Sequence, residues 1–222
     1  MHASSVSPDD LAVARGRMVE EQLRRRGISD ERVLAAMGRV PRELFVPKEH
    51  RDRAYADAAL PIGEGQTISQ PYMVALTCEA LALGGGERVL DVGTGSGYQA
   101  AVLAELAAEV HTIERRAALA DTAGAALRAA GYERVQVHVG DGTLGLPAHA
   151  PFAAIAVAAA APEVPESLYA QLDSGGRIVL PVGSRRQQEL LIVVRSPEGP
   201  AVLRSVPCRY VLLVGAEGFD RD

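Results

Sequence analysis

Apolar residues change their spacing partway along the chain, and the change separates two textures. Near the start, the helix signal Ser7-Pro8 with Asp10 precedes Leu11, Ala14, Met18 and Leu23, which recur at roughly helical intervals up to Gly27. A second helix is predicted from about Ser29 to just before Pro41, and the apolar residues 73–83 read as a third. From Arg88 onward, short Val/Ile/Leu-rich runs alternate with Ala-rich stretches of helical length. The runs at 88–92, 110–114, 135–139, 152–157 and 177–182 predict strands, and 99–108, 119–130 and 165–172 predict the helices between them. These strands are almost continuously apolar, as expected of parallel strands covered by helices on both faces. Residues 189–195 and 208–214 are separated only by a turn containing Pro197, Gly199 and Pro200, so they predict an antiparallel pair at the sheet edge.

The pattern therefore predicts an α/β, Rossmann-like fold: a mostly parallel sheet with helices on both faces, an antiparallel C-terminal edge and a helical N-terminal extension. Its 222 residues suit one domain, 1–222, and nothing linker-like divides them. Within it, 1–75 carry the N-terminal helices and a polar loop, and 76–222 carry the core and the C-terminal strands.

Composition narrows the function by exclusion. A 48% hydrophobic and 23% charged chain is that of a folded, soluble globular protein. A net charge of -5, with the short Arg24-Arg25-Arg26 as the densest basic run, gives no electrostatic footprint for nucleic acid; that run reads as a solvated helix face. The opening MHASSVSPDD has no charged head followed by an apolar run. The longest apolar run, 152–161, stops at Pro162, well short of the ~20 residues that cross a bilayer, so a cytoplasmic location is expected. Cys78 and Cys208 have no CxxC partner, and Cys78, inside an apolar helix, reads as a buried structural residue. His2, His50, His111, His138 and His149 show no metal-ligand spacing, and His111 and His138 read as packing or edge residues of strands. No metal is expected.

The chemistry concentrates in "VLDVGTGSGYQAAVLAEL", residues 89–106, where a Gly-x-Gly-x-Gly turn joins a strand to a helix. Gly93, Gly95 and Gly97 allow a ligand to approach the backbone, and such a turn lies at the carboxyl edge of the sheet, where ligands sit. Tyr98 stands where a dinucleotide fingerprint wants a third glycine, and no Gly-Lys-Ser/Thr follows, so phosphate binding is disfavoured. Asp91 would repel a pyrophosphate but suits an amino group or a sulfonium-bearing amino acid, which favours S-adenosylmethionine. Glu114, ending "VHTIE", can accept both ribose hydroxyls; Asp141-Gly142, ending "VQVHVGDG", can take the adenine amino group. Either acid could instead be solvated or cap a helix, but three acceptors at three strand ends favour the cofactor.

A second stretch, "LPIGEGQTISQPYM" at 60–73, offers two glycines for tight backbone paths and the hydroxyls of Thr67 and Ser69 before Pro71 leads into a helix. With "VPRELFVP" (40–47), "AYADAALPIGEGQTISQPYMVA" (54–75), "VLDVGTGSGYQAAVLA" (89–104), "GDGTLG" (140–145) and "QLDSGGRIVLPVG" (171–183), it makes the chain resemble the protein-L-isoaspartate O-methyltransferase family. The resemblance covers about residues 17–219 and implies a class I S-adenosylmethionine-dependent methyltransferase. It implies methylation of the free α-carboxylate of L-isoaspartyl residues in damaged proteins or peptides, with closure to a succinimide that begins repair. It further implies that the Thr-Ile-Ser loop covers the cofactor, with Ile68 on the cofactor side, Ser69 contacting the substrate carboxylate, and Thr67 and Gln70 shaping the substrate side. Cofactor contacts are implied for Asp91, Gly93, Gly95, Ser96, Gly97, Glu114, Asp141 and Gly142. A carboxylate already ionised at neutral pH needs no general base, so the absence of a Ser-His-Asp or Cys-His set fits. The partners expected are isoaspartyl peptides and proteins, with the enzyme monomeric.

The chain departs from the family pattern at Ala153, where an Asp is usual, at Ala156 and Ala158, where bulkier or polar residues are common, and at Leu212, where proline is common. Read as the edge of the active site, these departures keep open a carboxyl methyltransferase for a specialised natural-product peptide. A catalytically silent S-adenosylmethionine-binding module is the remaining alternative, and the intact "QTISQP" argues against it.

Overall fold

The computed structural model describes residues 7–220; the opening residues 1–6, read as lacking a secretory pattern, lie outside the described residues together with His2. Helix α1 (Pro8–Arg17) begins as predicted: Ser7 Oγ accepts from the Asp10 amide while the Asp10 carboxylate accepts from the Ser7 amide and hydroxyl. The helical path continues through a wide turn, Met18–Leu23, and a tight one, Arg24–Arg26, and stops at Gly27 in the left-handed region. Helix α2 (Glu31–Arg39) starts one residue later than Ser29 suggests, because the Asp30 carboxylate accepts the Arg32 and Val33 amides.

The polar stretch after Ala59 is a hairpin rather than a loop. Strands β1 (Leu60–Gly63) and β2 (Gln66–Ile68) pair antiparallel across Glu64-Gly65. Both turn residues have positive φ, 51° and 68°, the conformation that tight two-residue hairpin turns demand. Helix α3 (Pro71–Leu81) follows, with proline at its first turn, where no amide partner is needed.

The core follows the predicted alternation: β3 (Arg88–Val92), α4 (Tyr98–Ala104), β4 (Glu109–Glu114), α5 (Ala117–Ala129), β5 (Gln136–Val139), β6 (Phe152–Val157), α6 (Glu166–Ala170) and β7 (Leu172–Gly183). The sheet continues into β8 (Gln188–Ser196) and β9 (Gly199–Cys208), with spatial order β5-β4-β3-β6-β7-β8-β9. Pairing is parallel from β5 through β7 and antiparallel for β7–β8 and β8–β9. Chain order reverses between β3 and β6, which puts the crevice for a ligand at their carboxyl ends.

Alternate residues of the central strands feed two apolar clusters. Val89, Ala154 and Val179 join one, which also contains Met18, Leu23, Val33 and Met37 of the N-terminal helices; Leu90, Ile155 and Ile178 join the other, with Leu168 of α6. Each fully buried Val, Leu or Ile contributes roughly 1.5–3 kcal/mol relative to exposure, so both faces of the sheet are firmly covered.

The C-terminal edge corrects the prediction. The second antiparallel strand is β9, not residues 208–214, and the turn before it narrows to Pro197-Glu198 because Ser196 pairs with Gly199. Pro200 and Pro207 argue against a strand in the sequence, yet β9 lies at the sheet edge, where missing amides are tolerated. The apolar residues after it instead cross the ends of the parallel strands: Leu212 bridges Ala160, and the Leu213 amide donates to the Ala160 carbonyl at 2.7 Å. Strand β7 also begins earlier than predicted, absorbing a register shift against β6 at Asp173-Ser174-Gly175-Gly176.

Candidate active site

A cleft enclosing about 920 Å³, its open mouth included, lies at the carboxyl edge of β3, β4 and β6. One wall is the turn Gly93 to Ser96, a second is Gln66 to Ser69 of the hairpin, and a third is Val211 to Val214. Glu114, at the end of β4 and 6% exposed, lies in this lining. Its Oε2 accepts the Gly95 amide at 3.0 Å and its Oε1 the Arg116 amide at 3.0 Å, which fixes the carboxylate while leaving each oxygen a further lone pair. Gly142, following β5, completes the lining on that side.

Beneath the glycine turn is a buried polar chain. Asp91 is fully buried; its Oδ1 accepts from Gln99 Nε2 at 2.8 Å and its Oδ2 from the Thr112 hydroxyl at 2.9 Å, while the Thr112 and Thr94 hydroxyls lie 2.7 Å apart. Burial pushes the Asp91 carboxyl from 3.8 up to about 6 against the pull of these two donors, and nearby Glu114 adds to the rise. Asp91 thus supports the turn through Thr94, rather than forming part of the cleft wall.

Three other predicted residues, Gln70, Gly97 and Asp141, also stand outside the cleft lining. Gly97, with φ 87°, would direct a side chain at Leu127 and Ala123, 3.2 and 3.4 Å away, so it serves the close approach of α4 to α5. Asp141 caps its own turn by accepting the Thr143 amide and hydroxyl, and its other oxygen accepts the Ala216 amide at 2.8 Å. Burial alone would raise its carboxyl; these bonds, first that from Ala216, carry it below the ordinary value. The helix-cap alternative therefore describes what Asp141 does in this structure, and the C-terminal wall of the cleft is anchored through it.

Thr67, Ile68 and Ser69 line the cleft opposite the glycine turn, and Gln70 starts α3 with its carbonyl. The Ser69 carbonyl is held by a residue that sequence reasoning passed over. Arg42, fully buried, donates from Nη2 to Ser69 O at 2.7 Å and from Nε to Ala54 O at 2.8 Å, with its guanidinium 4.7 Å from the Tyr98 ring centre. Its Nη1 finds no partner among the described residues. Burial lowers its pKa to about 10, so it stays charged at neutral pH and places a positive charge behind Ser69. The signal was available: a lone arginine between Pro41 and Phe45 in an apolar segment.

Of the departures, Ala158 and Leu212 line the cleft, whereas Ala153 and Ala156 do not. Ala153 sits at the opposite end of β6, five residues or roughly 16 Å from Ala158, so it does not belong to the active-site edge.

A mostly parallel sheet of this order, with a glycine turn and a fixed acid at the end of the next strand, defines a Rossmann-like class I methyltransferase. The profile described as protein-L-isoaspartate(D-aspartate) O-methyltransferase (PCMT) matches residues 14–218. The chain belongs to the protein-L-isoaspartate O-methyltransferase family. It is 56% identical over 206 residues to the protein-L-isoaspartate O-methyltransferase of Roseiflexus castenholzii, spanning 93% of this chain and 94% of that one. With the enzyme of that name from Methanoculleus marisnigri it shares 57% over 208 residues, 94% of each chain. Among solved structures, a protein-L-isoaspartate O-methyltransferase superposes with a TM-score of 0.82 at 29% identity, covering 92% of this chain and 67% of that one. A Plasmodium falciparum structure described with the same activity, in complex with S-adenosyl-L-homocysteine, gives 0.80 at 26%, covering 90% and 98%.

Proposed function

We propose that this chain transfers the methyl group of S-adenosyl-L-methionine to the α-carboxylate of L-isoaspartyl residues in damaged peptides and proteins. One observation carries the reading: the Thr67-Ile68-Ser69 wall and the Gly93–Ser96/Glu114 wall face each other across one cleft. The donor set fits this cofactor, because a buried, fixed carboxylate at a strand end offers paired acceptors for ribose hydroxyls, and Asp91 and Glu114 supply negative charge near a cationic ligand. When bound, the cofactor supplies an activated methyl group on a sulfonium.

The residues of the chain then have three tasks. Glu114 and the Gly93, Gly95 and Ser96 backbone hold the cofactor's polar groups, with Gly142 at the far side and Ile68 covering it. Ser69 donates its hydroxyl to the substrate carboxylate, assisted by Thr67, while Arg42 fixes the Ser69 backbone and adds attraction for the anion. No residue needs to act as base: a carboxyl with an ordinary pKa near 3.9 is ionised at neutral pH. Alignment in a site shielded from water can itself supply roughly 7–11 kcal/mol of barrier reduction. The ester formed closes to a succinimide without further help from the protein.

A monomeric enzyme of the cytoplasm, folded as one unit, fits this role; no helix among the described residues is long and apolar enough to cross a membrane. A second reading, methylation of a specialised peptide, is favoured only by Ala158 and Leu212, which both line the cleft. The test is transfer of labelled methyl to a peptide with one L-isoaspartyl residue beside its aspartyl twin. Label on the isoaspartyl peptide alone is expected. Label on neither, with the cofactor still bound, sinks the repair reading in favour of a specialised substrate or a silent binder.

A further inference from the structure

Three of the histidines that show no metal spacing in sequence converge at the β5 edge of the sheet. His111 and His138 lie on one face of β4 and β5, since His138 pairs with Ile113, two residues along β4 from His111. His149 reaches the same place from the tight turn Pro147–His149. The His111 ring centre is 5.3 Å from that of His138 and 4.4 Å from that of His149, and His138 and His149 are 4.9 Å apart. One ring nitrogen from each lies within 4.8 Å of the others.

The protonation pattern of this cluster is fixed from outside. His111 Nε2 is 2.8 Å from Glu109 Oε1, and a carboxylate only accepts, so Nε2 carries the proton. In neutral His111 the Nδ1 lone pair then points at His138 Nε2, 3.1 Å away. Glu109 is itself oriented by Arg88, whose Nε donates to Oε2 at 2.8 Å while Nη1 donates to the His149 carbonyl at 3.3 Å. A carboxylate on the outer nitrogen of an imidazole whose inner nitrogen faces a second imidazole, with a third ring centred 4.4 Å from its own centre, is the second-shell arrangement of a metal-binding histidine.

We propose that His111, His138 and His149 bind one divalent transition ion of the zinc class, through three imidazole nitrogens with a fourth position left to water. Nitrogen–nitrogen spacings around such an ion are ~3.3–3.4 Å for bonds of about 2.0–2.1 Å. The His111–His138 pair already has nearly this spacing, and the half-buried His138 and His149 have room to close the rest. Imidazole without thiolate suits Zn²⁺, Co²⁺, Ni²⁺ or Cu²⁺ and disfavours Mg²⁺ and Ca²⁺, which take oxygen ligands. The site is separate from the methyl-transfer cleft: none of the three lines it, and His111 is three residues, roughly 10 Å, down β4 from Glu114. Its role is a staple. Strand β5 is a four-residue edge strand held by β4 alone, and the ion ties it to β4 and to the turn that follows.

The tag-free full chain, stripped with chelator, is titrated with Co²⁺ and with Zn²⁺. The expected results are one Co²⁺ per chain with the visible absorption of a four-coordinate ion, displacement by Zn²⁺ but not Mg²⁺, and a Zn²⁺-dependent rise in Tm of several degrees. His138→Gln and His149→Gln, both at half-buried positions, are each expected to weaken Co²⁺ binding at least about 10-fold while metal-free methyl transfer stays unchanged; His50→Gln changes neither. Absence of saturable Co²⁺ binding below millimolar concentration, or binding that persists in the His138→Gln/His149→Gln double variant, overturns the proposal.

Discussion

At the scale of single residues, the proposed mechanism separates groups assigned to touch the reacting partners, such as Ser69, from groups that hold them in place, such as Arg42. On the proposed mechanism Ser69→Ala removes one hydrogen bond to a charged carboxylate, worth about 1.5–3 kcal/mol, so kcat/KM for an isoaspartyl peptide should fall roughly 10- to 100-fold. Affinity for S-adenosylhomocysteine, read by calorimetry, should change far less; an unchanged rate would remove Ser69 from the mechanism. Arg42→Lys keeps the charge but cannot bridge the Ala54 and Ser69 carbonyls with a planar fork. It is expected to raise KM for the peptide and lower kcat together, by up to about 100-fold overall, because small displacements at a positioning contact are costly. Cofactor affinity unchanged in that variant would locate the damage at Ser69; equal loss for cofactor and peptide would mean general unfolding of the cleft. Asp91 makes a pH prediction. Its folded pKa, about 6, lies above the ordinary 3.8, so its contribution to stability is fully present below about pH 3.8 and lost as pH rises through about 6. Above that, the buried charge is a net cost of order 1–3 kcal/mol. Asp91→Asn should therefore unfold at a higher Tm than the parent at pH 8, with the difference closing towards pH 4. The same change should weaken cofactor binding, since the negative charge under the turn is lost; a Tm difference that stays the same at every pH would show that burial does not raise the Asp91 pKa in the folded protein.

At the scale of elements, the hairpin β1–β2 roofs the glycine turn: the Ile62 side chain lies 3.5 Å from where a Gly95 Cβ would stand, and Arg116 donates to Glu64 at 3.1 Å. That ion pair is about half exposed at both ends and contributes little by itself, so the turn conformation has to carry the closed position. Gly65→Val forces a β-branched residue to φ 68°, a strain of roughly 1–2 kcal/mol relieved by opening the hairpin. Affinity for S-adenosylhomocysteine should drop by up to about 10-fold with little change in Tm; a large fall in Tm instead would mean that the hairpin is part of the global folding unit. The hairpin was not legible as strand because its runs of four and three residues include Pro61 and Gly63, too short and too interrupted for alternation to register. The parallel strands were legible because burial on both faces makes them apolar throughout, so β3 and β6 fall where the sequence puts them. Strand β9 was misplaced for the opposite reason: its Val202 and Leu203 are largely exposed, its prolines discourage a strand, and the more apolar residues 211–214 owe their character to walling the cleft. Side-chain direction was the other hidden quantity. Nothing in the spacing of Asp91, Gly97 and Asp141 distinguishes a residue facing a ligand from one facing its own backbone or a neighbouring helix, nor could spacings of 27 and 11 residues bring His111, His138 and His149 together on paper.

At the scale of the whole molecule, the N-terminal helices and the cofactor half share one apolar cluster. Met18, Leu23, Ile28 and Met37 are almost wholly buried in the same cluster as Val89, Tyr98 and Val179, and Arg32 donates to the Leu83 and Leu106 carbonyls across the join. The cleft wall that carries Ser69 hangs from this junction: Arg42 connects the segment after α2 to Ser69, and Tyr98, the first residue of α4, lies both under Arg42 and in the cleft. Loss of the helices would therefore take Ser69 with it, which argues that folding and substrate binding are one cooperative event. With six tyrosines and no tryptophan, two independent probes are at hand, far-ultraviolet ellipticity for the helices and near-ultraviolet tyrosine signals for the junction. Their thermal transitions should coincide. S-adenosylhomocysteine at 100 times its Kd adds about 2.7 kcal/mol, and both transitions should move up together by roughly 5–10 °C. A chain whose helices were a separate module would behave differently: the ellipticity would split into two steps, and the ligand would move only the step that reports the sheet.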